Sequence, residues 1–382
     1  MNGKLKLVIC LGASLATASS MAQTSVAHVY VASVPGSGSA AEIYGYAADA
    51  HGTLTPLPGS PFQENDQGLA VSGTYLFGIN GDRPEIDSFA IDDNGGLSYT
   101  ASRNYTQYNP NNCGAAAWLF PDRTGANLYD MEFLGDCSNN GYQSFSVNQG
   151  SGSLQYLGYA DGGAGSFSGV YLPLTFSSSD AFAYEATNND CMYFSVWTYR
   201  RDTNGDLASI DANVTMPAPP SGYRIYIPTF TAADSFDHVA IAMQAANPPG
   251  CSNNAPQLGI FSVDQNGNLT TTNTSANMPS TDVVGVTDMK IAPGGPYLAV
   301  AGTGGLQVFH VNGADPPTQV TPLLTQDPIS QMFWDKNNHI YAISQSAGRL
   351  HVFTVTSTGY KEDAGSPYTI SNPQSIAVQS LH

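Results

Sequence analysis

The chain has 382 residues, of which 30 are acidic and 12 basic, for a net charge of −18, yet only 11% are charged and 42% are hydrophobic. So acidic a surface, with no cluster of lysines and arginines, excludes nucleic acid and anionic lipid as partners, because both need concentrated positive charge. The apolar share excludes a disordered chain, and 39 glycines with 24 prolines indicate a turn-rich β protein.

From the N-terminus, Lys4 and Lys6 precede an apolar run over residues 7–18 and then Ser20-Met21-Ala22, the pattern of an export signal cleaved after Ala22. The run is too short to cross hydrocarbon about 30 Å thick, which takes ~20 residues. Ile9 precedes Cys10 where a lipoprotein signal has a small residue. The expected organisation is a signal peptide over 1–22 and a single domain over 23–382, exported to the periplasm or beyond the cell. Cleavage removes both N-terminal lysines and takes the net charge from −18 to −20.

The rest of the chain repeats one phrase: an aromatic on an alternating strand, a small residue, a branched residue, then an Asp/Asn/Gly turn and a leucine. Copies stand at Tyr44-Gly45-Tyr46, Phe89-Ala90-Ile91, Phe145-Ser146-Val147, Phe194-Ser195-Val196, Phe261-Ser262-Val263, Phe309-His310-Val311 and Phe353-Thr354-Val355. Such spacing means radial repetition of small antiparallel sheets, one per copy, and predicts an all-β, seven-bladed β-propeller with four-stranded blades. In the sixth repeat the strands read 288–292, 297–301, 306–311 and 319–323 from inner to outer. Gly294-Gly295 and Gly304-Gly305 serve there as positive-φ turns. The first repeat lacks an inner strand, since 28–32 already reads as a second strand followed by 42–47. The final Ser375-Ile376-Ala377-Val378 supplies it, so pairing of the chain ends closes the ring and removes open edges.

Four cysteines follow the signal, an even number in an exported chain, and three pairings are possible. Nearness favours Cys113 with Cys137 and Cys191 with Cys251. All four fall on one rim of the expected ring, with the long connections 159–172, 210–224 and 244–257, where a propeller would bind something.

The repeats, together with Gly59-Ser60-Pro61-Phe62, Gly365-Ser366-Pro367-Tyr368 and Pro373-Gln374-Ser375-Ile376-Ala377-Val378, resemble the lactonase-type seven-bladed propellers. That family includes the propeller 6-phosphogluconolactonases and the muconate cycloisomerases. The resemblance implies arginine, histidine and glutamate at the ring opening, set to bind and open a carboxylated or phosphorylated lactone. Gly222-Tyr223-Arg224 is similar to the family's Gly-Pro-Arg-His stretch, with Ile225 where the histidine would stand. Cys113-Gly114-Ala115-Ala116-Ala117 is similar to a Cys-His-Ser segment, again without histidine.

Read from the residues alone, Glu132 and Glu185 end the second strands of adjacent blades, within one residue of equivalent positions. Two carboxylates facing one cavity divide acid and base roles if burial separates their pKa values, and Arg224 on the next blade would hold an oxyanion or a substrate carboxylate. The alternative is that all three are solvated strand ends. Asp202-Thr203-Asn204-Gly205-Asp206 has some of the oxygens of a calcium loop, but hairpin chemistry explains it and its counterparts at Asp92 and Asp264 better. His238 and His339 begin strands, while His310 and His351 lie within third strands. Trp334-Asp335 sits at an inner strand's end as packing. No serine-hydrolase elbow, P-loop or dinucleotide motif occurs.

Two functions fit: an exported lactonase-like hydrolase acting on a small non-phosphorylated lactone, or a non-catalytic binding propeller that has lost the acid/base set. Either takes a small neutral or weakly charged partner, no nucleic acid, no membrane insertion, no cofactor and no metal, and acts as a monomer.

Overall fold

Alternation of large apolar and small residues, read out at a period of two, folds the chain into short antiparallel strands. The computed structural model describes residues 24–36, 40–106, 115–133, 141–162, 173–189, 193–248 and 254–381. The export signal and all four cysteines, with their expected pairings, lie outside the described residues.

Blade one combines β1 (Ala27–Ser33), β2 (Glu42–Ala48) and β3 (Leu54–Pro56). Blade two is β4 (Asp66–Ser72), β5 (Tyr75–Asn80), β6 (Glu85–Ile91) and β7 (Leu97–Asn104). Blade three is β8 (Ala115–Pro121), β9 (Asn127–Phe133), β10 (Gly141–Val147) and β11 (Leu154–Asp161). Blade four is β12 (Thr175–Phe176), β13 (Phe182–Asn189), β14 (Tyr193–Arg201) and β15 (Leu207–Ile210). Blade five is β16 (Ile225–Ala233), β17 (His238–Ala246), β18 (Gln257–Val263) and β19 (Leu269–Thr270). Blade six is β20 (Val286–Ile291), β21 (Tyr297–Gly302), β22 (Gly305–Asn312) and β23 (Asp315–Gln319). Blade seven is β24 (Gln331–Trp334), β25 (His339–Ser344), β26 (Arg349–Thr356) and β27 (Gly359–Glu362), with β28 (Tyr368–Thr369) added to β26. The last strand, β29 (Pro373–Ser380), pairs antiparallel with β1 from Ala27↔Ser380 to Ser33↔Pro373 and completes blade one as its inner strand. The molecule is a seven-bladed propeller closed by its own ends, as the repeat predicts.

The repeated aromatic is the core of each inter-blade seam. Phe89, Phe145, Phe261, Phe309 and Phe353 on third strands are almost fully buried. In blade four the equivalent residue is Tyr199, which directly precedes Arg200-Arg201 and the Asp202 turn, rather than Phe194 of the predicted copy. The constant spacing to the turn decides the register, and Tyr199 is buried while Phe194 is only partly so.

Each turn is built by its aspartate. Asp92 Oδ1 accepts from the backbone N–H of Asn94 (2.8 Å) and Gly96 (2.9 Å), Asp202 Oδ1 from Asn204 (2.8 Å) and Asp206 (2.9 Å), and Asp264 Oδ1 from Asn266 (2.8 Å) and Asn268 (2.9 Å). These bonds to backbone amides hold the Asp202 carboxyl below the usual range, and they are hairpin chemistry. The turn glycines Gly95, Gly205 and Gly267 sit at φ of 81°, 101° and 86°. Their carbonyls take the hydroxyls of Tyr30 (2.9 Å), Tyr129 (2.8 Å) and Tyr184 (3.2 Å) from the preceding blades, a repeated inter-blade pin.

Neighbouring inner strands are stitched by side chains that accept from each other's backbone amides. Asp288 Oδ2 accepts from Met332 N–H (2.8 Å), Gln331 Oε1 from Ile376 N–H (2.8 Å) and Ser375 Oγ from Leu69 N–H (3.0 Å). In blade six the outer strand begins earlier than expected, at Asp315, directly after the Gly313 turn (φ 62°). Of the four glycines assigned there to positive-φ turns, Gly305 alone has positive φ, at 124°. Gly294 instead serves close approach, since a Cβ there would lie 2.9 Å from the Lys336 carbonyl. Trp334 is packing, its indole N–H donating to the Lys290 carbonyl (3.1 Å).

Candidate functional site

Along β13, Phe182, Tyr184 and Ala186 face blade five, while Ala183 and Glu185 face blade three. The inner strand β12 pairs with β13 at Thr175↔Tyr184 and Phe176↔Ala183. Glu185 is thus the first residue of β13 beyond that pairing. It lies mid-strand, not at the strand end as expected, because β13 continues to Asn189.

Glu185 is only 8% exposed and stands in an aromatic seam with Tyr142 of β10 and Tyr199 of β14. The Tyr199 hydroxyl donates to Glu185 Oε2 (3.0 Å), and Tyr142 packs edge-on to Tyr199 at 5.4 Å between ring centroids. The Tyr142 hydroxyl stands beside the same carboxyl outside hydrogen-bonding geometry. Burial pushes the Glu185 carboxyl up to about 7, against the opposing pull of the two tyrosine hydroxyls. A carboxyl that gains and loses its proton near neutrality suits general acid/base work.

The same shift sets a pH dependence of stability. Native Glu185 keeps its proton over the interval, from about 4.5 to about 7, in which the unfolded chain has released it. The native state is therefore favoured at low pH, and that advantage is lost as pH rises to about 7. Relative to Glu185→Gln, wild-type stability is expected to fall by up to about 3 kcal/mol between pH 4 and pH 8, measured by urea unfolding. Parallel curves would contradict the assignment.

Arg224 immediately precedes β16 and is anchored by its backbone N–H to the Ala246 carbonyl (3.1 Å). Its side chain is exposed, and among the described residues its guanidinium has no hydrogen bond or ion pair. Arg349, by contrast, is spent on Asp327 (2.8 Å), and Arg83 on Glu85 (2.8 Å) and Asp87 (3.2 Å). Ile225, where the resemblance places a histidine, packs beside Ile227 and Ala246. Next to Arg224, the Tyr223 hydroxyl accepts from Asn254 Nδ2 (2.6 Å).

Glu132 is the penultimate residue of β9, paired with Gly141 and Ala116, and its side chain lies outside the described residues. Since Tyr129 and Tyr184 make the same inter-blade pin, the counterpart of Glu185 is the fully buried Asp130, two residues before Glu132. Glu185 and Arg224 belong to neighbouring blades, but Glu185 faces away from blade five, and no hydrogen bond or ion pair joins them. Tyr199 and Tyr142 were missed by the sequence reading, though the fixed spacing from core aromatic to Asp turn identifies Tyr199.

No protein-family model matches the sequence, and no curated protein is significantly similar to it. Among solved structures, a proposed 6-phosphogluconolactonase from Bacteroides uniformis superposes with a TM-score of 0.64 at 13% identity, over 92% of this chain and 99% of that one. A proposed 6-phosphogluconolactonase from Bacteroides fragilis gives 0.64 at 15%, over 94% and 99%. The periplasmic gluconolactonase of Pseudomonas aeruginosa gives 0.62 at 14%, over 92% and 98%. At these identities what is shared is the fold, that of the lactonase-type seven-bladed propellers.

Proposed function

We propose that the protein is an exported lactonase that hydrolyses a small non-phosphorylated lactone at the inner end of blade four, without cofactor and as a monomer. The observation that carries this reading is the buried Glu185 carboxyl, poised near neutrality at the first position beyond the inner-strand pairing. As a base, Glu185 takes a proton from water as the water oxygen adds to the lactone carbonyl. Arg224 holds the oxyanion or a substrate carboxylate by paired hydrogen bonds, and Glu132 serves as the second carboxyl. Collapse of the adduct breaks the ring C–O bond, and the departing oxygen takes the proton to give a hydroxy acid.

With Arg224 as the one guanidinium assigned to the site, on so acidic a chain, a neutral or singly charged lactone is favoured over a phosphorylated one. Export is supported by the Lys4/Lys6 and Ser20-Met21-Ala22 signal pattern and by the fold shared with a periplasmic gluconolactonase. The second reading, a binding propeller without catalysis, is favoured by Ile225 at the histidine position.

The test is pH-stat hydrolysis of a panel of neutral and acidic lactones by the processed protein beside Arg224→Ala and Glu185→Gln. Turnover that falls at least about a hundredfold in each variant is expected. Absence of turnover on every lactone by folded protein favours the binding propeller.

A further inference from the structure

The seam between blades one and two flanks the closing strand pair β29–β1, and it holds a buried acid that the proposed chemistry does not use. Asp66, the first residue of β4, is 1% exposed, and neither of its carboxylate oxygens has a hydrogen-bond partner. Space for it is left by Gly78 on β5, where a Cβ would sit 2.6 Å from the Asp66 Cβ.

The charged groups around Asp66 are mostly of its own sign. Asp87 on β6 is buried, with Oδ2 accepting from Asn80 Nδ2 (2.7 Å) and Arg83 Nη2 (3.2 Å) and Oδ1 left without a partner. Glu64 stands just before β4, and Glu85 on β6 is paired with Arg83 (2.8 Å). Across the seam Glu42 begins β2 and accepts from Gln63 Nε2 (3.1 Å). The cation of the group, Arg83, is already shared between Glu85 and Asp87. An anion buried without a donor is strongly unfavourable, so in the closed ring a proton resides on Asp66. Burial, then the charges of Asp87 and Glu64, raise its carboxyl to about 7, with Arg83 opposing.

We propose that Asp66 is a proton latch on the seam beside the closing strands: protonated, it lets β4 pack against β29 and β1, and ionised, it is driven from Asp87 and Glu64 and loosens that packing. The movement reaches the C-terminal strand directly, because Leu69 N–H of β4 donates to Ser375 Oγ of β29 (3.0 Å). On the other side, Asn65 Oδ1 accepts from Ala41 N–H (3.3 Å), just before β2.

A raised carboxyl favours the closed seam at low pH and loses that advantage as pH rises to its folded pKa. Hydrogen exchange of the processed full chain, read by mass spectrometry and corrected for intrinsic rates, tests this between pH 5 and pH 8. In the wild type the opening of β4 and β29 amides is expected to rise on the order of a hundredfold. In Asp66→Asn it is expected to stay nearly constant. Asp87→Asn, which keeps the latch but removes its nearest repulsion, is expected to move the response to lower pH, and it decides the matter if Asp66→Asn does not fold. Equal pH responses in wild type and Asp66→Asn overturn the latch, as does a response confined to β12, β13 and β14 around Glu185, or an unmoved response in Asp87→Asn.

Discussion

A chain ending at Asn372 is expected to lose its cooperative thermal transition. β29 is the inner strand of blade one, and removing it strips the ladder from Ala27 to Ser33 and exposes that edge of β1. The fully buried Ile376 and Ala377 leave the seams on either side, and Leu69 N–H loses Ser375. Burial of one large aliphatic side chain contributes about 1.5–3 kcal/mol, and the lost ladder adds to it. The sum rivals the roughly 5–15 kcal/mol by which domains are stable. Calorimetry of the truncated processed protein is expected to show no sharp transition. A transition within a few degrees of wild type would mean that the ring does not depend on its closing strand.

Arg201→Met is expected to cost about 3 kcal/mol or more, the range for breaking a buried ion pair from one side. Arg201 ends β14 and reaches back to blade three, where Nη2 donates to Asp122 Oδ2 (2.9 Å) and Asn127 Oδ1 (2.5 Å), and Nε to the Tyr129 hydroxyl (3.1 Å). The Asp122 side chain is wholly buried, so loss of the guanidinium strands a charge in the seam. Asp122→Asn added to Arg201→Met is expected to recover part of the loss in urea unfolding. A double variant no more stable than Arg201→Met would show that packing, not charge, sets the cost.

The fold was legible because the repeated phrase is itself the physical cause of the blade: an aromatic for each seam, then an aspartate and glycine that build the turn. Where two copies competed, as with Phe194 and Tyr199, residue type misled and distance to the Asp202 turn was the better guide. The site was less legible. Glu185 and Arg224 stand out as residues, yet the carboxyl's character comes from burial in a seam where Tyr142 of one blade meets Tyr199 of another, a meeting that depends on ring packing. Asp66 gave no sign at all, since an aspartate before a strand reads as a turn residue. Only the space left by Gly78 and the company of Asp87 set it apart.

The measurement that bears most directly on the proposed lactonase is kcat/KM against pH on the best lactone found, for wild type and Glu185→Gln. With Glu185 as the base, activity is expected to rise with pH to a plateau above about 7, following the raised carboxyl, and the limb should vanish in the Gln variant. Hydrolysis with the same pH profile in both proteins would contradict a catalytic role for Glu185.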